Sequence, residues 1–378
     1  MIVRGKMPMF SKSLLAALPL IFGLATGVSA QDKKPVDKDD VIRVETQLVD
    51  VPIAVAAANG TPIRGLKATN FVIYEDGKKQ DVVDFSTTTA PFEVALLLDT
   101  SGSTRGDLIL IQRAAQDFVA SLRPGDRVAI LAYNTAREGG QAFATTEVLA
   151  KLTDDRAALR SAIEKVKTSN GTPYYDSLLE VAGKVFSQRP AEEFRGRRAL
   201  VALTDGVDST SSANFTTAKE ELEQIGLISY FIKVDTRDFF EKDLLGDCQS
   251  AIRFSAAQLK RYYQSFGAKG KENQTLNFCQ LGDFERLAIS KKLYEMADNE
   301  MTDLSKASGG KVFPVDDLNQ ARNAFRSVAD EIGTKYTLGY YPSNDKRDGT
   351  YRQIKIEIKG LPPGTLVRSR DGYKAPSN

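Results

Sequence analysis

The chain of 378 residues contains no histidine and only two cysteines. Without histidine a protein cannot build His-zinc sites, Ser-His-Asp triads or imidazole general bases. These absences exclude most familiar hydrolase mechanisms. We therefore expect a binding protein rather than an enzyme.

Neither sign of charge dominates, because 51 Lys and Arg are balanced by 49 Asp and Glu. A near-neutral chain lacks the basic field on which nucleic acid binding depends, so we expect no nucleic acid partner. Hydrophobic residues make up 42% and charged residues 26% of the sequence, which is typical of a globular protein. The length suggests about two domains.

The first thirty residues have the order of a secretory signal peptide. Three basic residues precede an apolar run from Leu14 to Val28, and Val28-Ser29-Ala30 supplies small residues at the expected cleavage site. The apolar run is shorter than the ~20 residues of a membrane-spanning helix. We expect cleavage after Ala30 and a periplasmic or extracellular protein without a transmembrane helix; an uncleaved anchor is the alternative.

The two cysteines, Cys248 and Cys279, lie 31 positions apart. In an exported protein such a pair predicts a disulfide, and two free thiols are the alternative.

Two β segments flank a central region. Residues 31–40 are polar and charged, as in a linker, and 41–88 contain short alternating strands separated by turn signals. Residues 335–374 contain alternating strands again. Because each small strand set must bury its apolar face, we expect the two segments to pair, with the central region inserted into a β-sandwich.

The central region, 92–334, alternates apolar strands with helices. The run Val94–Leu98 is typical of a parallel strand covered on both faces. Helical and strand patterns then recur, among them a strand over 128–133 and helices over 292–308 and 318–332. A polar interruption at 236–290 is interpreted as an insertion. This order predicts an α/β fold with a doubly wound, mostly parallel sheet.

A carboxylate and two hydroxyls follow the first central strand in Asp99-Thr100-Ser101-Gly102-Ser103. Oxygen donors suit hard divalent cations, and ligands of open α/β sheets bind at the carboxyl ends of the strands. Helix capping is the alternative role for these residues. Gly171-Thr172-Pro173 and Thr204-Asp205-Gly206 are expected at the same sheet edge.

Together these motifs resemble the metal-ion-dependent adhesion site of von Willebrand factor type A domains. The matching residues are Asp99, Ser101, Ser103, Thr172 and Asp205. The resemblance implies that the two serine hydroxyls bind the metal directly, that Thr172 binds directly or through water, and that the two aspartates act mainly through bridging waters. It implies a divalent cation, with Mg²⁺ preferred over Ca²⁺ or Mn²⁺.

The flanks resemble those of bacterial von Willebrand factor A-related proteins, typified by acidobacterial sequences. The resemblance rests on Phe71-Val72-Ile73-Tyr74-Glu75-Asp76-Gly77 and on Tyr336-Thr337-Leu338-Gly339-Tyr340-Tyr341-Pro342.

These observations lead to three functional hypotheses. The first is a metal-dependent protein-binding module for adhesion or envelope-complex assembly, in which a partner's Asp or Glu carboxylate binds the metal. The second is a metal-assisted hydrolase, although no general base is evident near the site. The third is a structural envelope protein with a vestigial metal site.

Overall fold

The computed structural model describes residues 48–87, 89–102, 107–249, 251, 253–267 and 278–377. The expected signal peptide 1–30, the linker 31–40, the start of the N-terminal β segment and Ser103 lie outside these residues. No helix in the described part of the chain is long and apolar enough to cross a membrane.

A six-stranded sheet forms the centre of the α/β region. Its strands are β5 (Glu93–Leu98), β6 (Arg127–Glu138), β7 (Gln141–Thr153), β8 (Arg198–Thr204), β9 (Ile228–Val234) and β10 (Lys311–Val315). They lie in the order β10-β9-β8-β5-β6-β7, and all neighbours are parallel except β6 and β7. The prediction of a mostly parallel α/β fold is therefore confirmed.

Helices cover both faces of this sheet. They are α1 (Leu108–Ser121), α2 (Arg156–Glu164), α3 (Tyr174–Glu180), α4 (Phe215–Gln224), α5 (Arg237–Leu244), α6 (Ala256–Gln264), α7 (Asp283–Ser308) and α8 (Leu318–Ile332). Alternate residues of β5 point into different apolar cores: Leu96 packs among α1, α2 and α8, while Leu97 packs among α3, α4 and α7. Every residue of β5 is buried, as its continuous apolar sequence predicts.

Two elements differ from the sequence prediction. Strand β6 extends well past Tyr133, where we expected it to end, and forms a hairpin with β7 through Gly139 and Gly140, both at positive φ. Helix α7 begins at Asp283 rather than at Lys292. The Gly282 amide donates to the Glu285 carboxylate over 2.9 Å, which starts the helix nine residues earlier than its apolar periodicity indicated.

The flanking segments form two four-stranded sheets. Their strands are β1 (Val49–Ala56), β2 (Phe71–Glu75), β3 (Lys78–Gln80), β4 (Val82–Ser86), β11 (Tyr336–Tyr340), β12 (Tyr351–Ile358), β13 (Leu366–Ser369) and β14 (Gly372–Lys374). The strand orders are β13-β1-β11-β4 and β14-β12-β2-β3. Each sheet contains strands from both ends of the chain, so the expected pairing of the two segments is confirmed.

A buried polar network joins these two sheets. Tyr340 of β11 and Tyr373 of β14 both donate to Glu75 Oε2, over 2.6 and 2.9 Å. Arg352 Nη1 lies 3.5 Å from Glu75 Oε1, and both side chains are almost fully buried. Glu75 therefore connects three other strands through one carboxylate.

We predict that Glu75→Ala lowers the free energy of unfolding by about 3–5 kcal/mol, because it leaves the buried Arg352 guanidinium without its carboxylate. Thermal and urea unfolding would measure this loss. The matched control is Glu357→Ala on β12, which removes an exposed ion pair with Lys355 and should leave the melting temperature nearly unchanged. Equal effects of the two substitutions would contradict the role assigned to Glu75.

Candidate metal centre

Asp99 immediately follows β5 and is buried at the sheet edge. Its Oδ1 accepts a hydrogen bond from the Ser101 amide over 3.0 Å, and its Oδ2 accepts one from the Thr204 hydroxyl over 2.7 Å. Its own amide donates to the Leu203 carbonyl over 2.9 Å. The carboxylate is therefore fixed between the ends of two adjacent parallel strands, β5 and β8.

Asp205 follows β8 in the same way. Its Oδ1 accepts from the Val207 amide over 2.9 Å and its Oδ2 from the Thr236 hydroxyl over 2.5 Å. Gly206 has a φ of +73°, and a Cβ at this position would lie 2.9 Å from the Met301 side chain. The positive φ therefore favours glycine in the turn after Asp205.

The loop that carries Thr172 is hydrogen-bonded to the loop after Asp205 and to the loop of Asp99. Thr172 donates its amide to the Ser209 hydroxyl over 2.9 Å, and its carbonyl accepts from the Ser209 amide over 2.9 Å. The Ser169 amide donates to the Thr100 carbonyl over 2.7 Å. The structure therefore brings the loops of Asp99, Ser101, Thr172 and Asp205 together. Ser103, the fifth predicted ligand, lies outside the described residues.

Burial dominates the electrostatics of the two carboxylates. It raises the pKa of Asp205 to about 7, and the neighbouring Asp99 carboxylate adds to that rise. Burial also raises the pKa of Asp99, although hydrogen bonds from Ser101 and Thr204 oppose the change. Each carboxylate makes the ionisation of the other less favourable. A bound cation would lower this electrostatic cost.

The donor set fits a hard divalent cation. The described residues contain no cluster of three or more acidic, histidine or cysteine side chains that could hold a metal. A metal at this edge would therefore rely on the hydroxyls of Ser101 and Thr172 beside the two carboxylates. Oxygen-only donors of this kind suit Mg²⁺, Mn²⁺ or Ca²⁺ rather than softer metals.

The β6–β7 hairpin extends past the carboxyl end of β5, beside the candidate metal centre. Leu98, the last residue of β5, pairs with Ala132, whereas β6 continues to Glu138. The Tyr133 carbonyl accepts from the Thr100 hydroxyl over 2.9 Å, and the Asn134 carbonyl accepts from Ser169 over 3.2 Å. The hairpin thus contacts two of the metal-site loops.

The insertion at 236–290, which follows β9, contacts the same edge of the sheet. The structure joins Cys248 and Cys279 by a disulfide, with 5.1 Å between their Cα atoms. Arg261 of α6 forms an ion pair of 3.1 Å with Asp208 and donates to the Tyr175 hydroxyl over 2.7 Å. Sequence reasoning missed Thr236, Asp208 and Arg261, because their partners are distant in sequence and no local motif marks them.

Comparison with known protein families gives a match within the α/β region. A family model described as the von Willebrand factor type A domain matches residues 94–207, which include Asp99, Ser101, Thr172 and Asp205. No curated protein sequence matches the chain.

Three solved structures illustrate the structural similarity. BatB from Bacteroides thetaiotaomicron is 17% identical with a TM-score of 0.38, covering 64% of this chain and 98% of that one. Proximal thread matrix protein 1 from the mussel byssus is 14% identical with a TM-score of 0.40, covering 68% and 50%. The von Willebrand factor type A protein from Catenulispora acidiphila is 13% identical with a TM-score of 0.39, covering 88% and 75%.

The von Willebrand factor type A family model thus matches a segment within the α/β region, residues 94–207. Domains of this class commonly mediate protein interactions.

We predict that Mg²⁺ stabilises the protein and that Asp99→Ala combined with Ser101→Ala abolishes this effect. At a Mg²⁺ concentration of 100 Kd the expected stabilisation is about 2.7 kcal/mol. Calorimetric titration and melting in Mg²⁺ or EDTA would measure binding and stability separately.

The matched control for this prediction is Thr100→Ser. It changes the same loop but keeps the hydroxyl that donates to the Tyr133 carbonyl, so metal binding should persist. A wild-type protein without saturable binding of Mg²⁺, Mn²⁺ or Ca²⁺ would contradict the metal site.

Proposed function

We propose that the protein is an exported, metal-dependent binding module that recognises an Asp or Glu carboxylate of a partner protein. The proposal rests mainly on one observation: two buried carboxylates and a set of hydroxyls share the carboxyl edge of β5 and β8 within a von Willebrand factor type A domain. The matching residues are Asp99, Ser101, Ser103, Thr172 and Asp205.

Charge explains why a partner carboxylate would bind there. A metal held directly by neutral serine hydroxyls, and by Thr172 directly or through water, would keep much of its positive charge if the aspartates act mainly through bridging waters, as the family resemblance implies. An anionic oxygen from a partner would complete the coordination and neutralise that charge. The chain's own residues would thus hold the ion, and the partner would supply the strongest ligand.

The site is close enough to the surface for this contact. Ser101 is buried, whereas the next residue, Gly102, is exposed, and Thr210 on the neighbouring loop is exposed as well. The hairpin and the insertion both contact loops of the site. They are therefore candidates for further contacts that would determine which acidic partner binds.

We predict metal-dependent capture of a partner from an envelope extract. Immobilised mature protein should retain the partner in Mg²⁺, release it in EDTA and fail to retain it when Asp99→Ala and Ser101→Ala are combined. The control Thr100→Ser, which keeps the hydroxyl bonded to Tyr133, should behave as wild type. Converting the partner's acidic contact residue to its amide should abolish capture. Retention that is unchanged in EDTA would favour the structural hypothesis, and metal-dependent turnover of phosphate esters would favour the hydrolase.

Export forms a separate part of the proposal and rests on residues 1–30. We predict that cells expressing the full chain accumulate a mature protein beginning at Gln31 outside the cytoplasm. N-terminal sequencing of the fractionated protein would measure this. A membrane-bound product retaining Met1 would instead show an uncleaved anchor.

A further inference from the structure

The insertion begins with a direct contact to the candidate metal centre. Thr236 lies two residues after β9, and its hydroxyl donates to Asp205 Oδ2 over 2.5 Å. The Tyr294 hydroxyl of α7 lies 2.9 Å from the same Thr236 oxygen. Because the single threonine proton goes to the carboxylate, Tyr294 is the donor in the second bond. The chain Tyr294–Thr236–Asp205 therefore fixes one oxygen of Asp205.

The insertion contacts the loop after β8 at two further positions. Val207 packs into the apolar core of the insertion, with Leu244, Phe254 and Phe278. One residue later, Asp208 forms its ion pair with Arg261, whose guanidinium also lies 5.1 Å from the centre of the Tyr175 ring. Asp205, Val207 and Asp208 thus each contact groups that belong to the insertion or to α7.

Asp208 transmits this support to the neighbouring loop. Its Oδ1 accepts from the Tyr174 amide over 3.0 Å and from the Ser211 amide over 3.2 Å. Tyr174 is only two residues from Thr172. Arg261 therefore holds a carboxylate that itself fixes the backbone beside two predicted metal ligands.

The strand pairing of the central sheet does not include these contacts. Strand β9 pairs with β8 from Ile228 to Lys233 and with β10 from Tyr230 to Val234, all before the insertion begins. The insertion's polar contacts described above go instead to the loop that follows β8 and to Tyr175 of α3. Groups that orient a metal ligand through hydrogen bonds commonly contribute about 10–100-fold to metal affinity.

We propose that the insertion supports the metal site, with Thr236 and Arg261 as positioning residues that hold the Asp205–Asp208 loop in its metal-binding conformation. This inference rests on the proposed metal-dependent function. It assigns to the insertion a role in metal affinity rather than in folding of the central sheet.

The test is the Kd of the full mature chain for Mn²⁺ and Mg²⁺, measured by calorimetry. Thr236→Val removes the hydroxyl at nearly constant volume and should raise the Kd by about tenfold or more. Thr236→Ser restores the hydroxyl and should return the Kd close to the wild-type value. A purely structural role for Thr236 would not produce this rescue.

Arg261→Met provides a second, independent variant, because it keeps the aliphatic stem and removes the charge that pairs with Asp208. We expect a raised Kd, with Arg261→Lys intermediate. The matched control is Lys260→Met, an exposed neighbour on the same helix that should leave the Kd unchanged. Circular dichroism of each variant would verify that the sheet is folded.

The possible failures are distinguishable. A wild-type chain that binds neither metal would overturn the proposed function itself. A wild-type chain that binds metal, together with folded Thr236→Val and Arg261→Met variants of unchanged Kd, would overturn only the positioning role. Lower melting temperatures at constant Kd would assign the two residues to stability alone.

Discussion

The proposed metal centre depends on the burial of two carboxylates at the ends of adjacent parallel strands. Asp99 and Asp205 follow β5 and β8 directly, and the register of those strands fixes their separation. Burying two like charges is unfavourable without compensation, and the Thr204 and Thr236 hydroxyls and the Val207 amide donate to these carboxylates. A cation, as the proposed function requires, would offset the remaining cost.

Other parts of the protein can be understood by their relation to this edge. The β-sandwich returns both ends of the α/β region to one place, where Arg197 donates to the carbonyls of Ala90, Pro91 and Lys335. The hairpin and the insertion lie at the opposite, carboxyl ends of the strands and contact the site loops. The fold thereby separates a structural support from a binding edge.

Much of the fold could be predicted from sequence because its signals are local. The continuous apolar run of β5 and the helical periodicity of α8 gave the correct element types, and the pairing of the β segments followed from their unburied faces. The long hairpin was missed because Thr135–Ala144 is too polar to resemble a core strand. The Asp99 and Asp205 motifs were visible as short strand-end patterns, whereas Thr236 and Arg261 act through contacts that no local pattern encodes.

The most direct test is a crystal structure of the mature protein soaked in Mn²⁺, with the metal located by anomalous scattering. We predict a single strong peak at this edge, with the Ser101 hydroxyl within about 2.2 Å and the Asp99 and Asp205 carboxylates in its immediate surroundings. Absence of a peak there at saturating Mn²⁺, or a peak at another site alone, would contradict it.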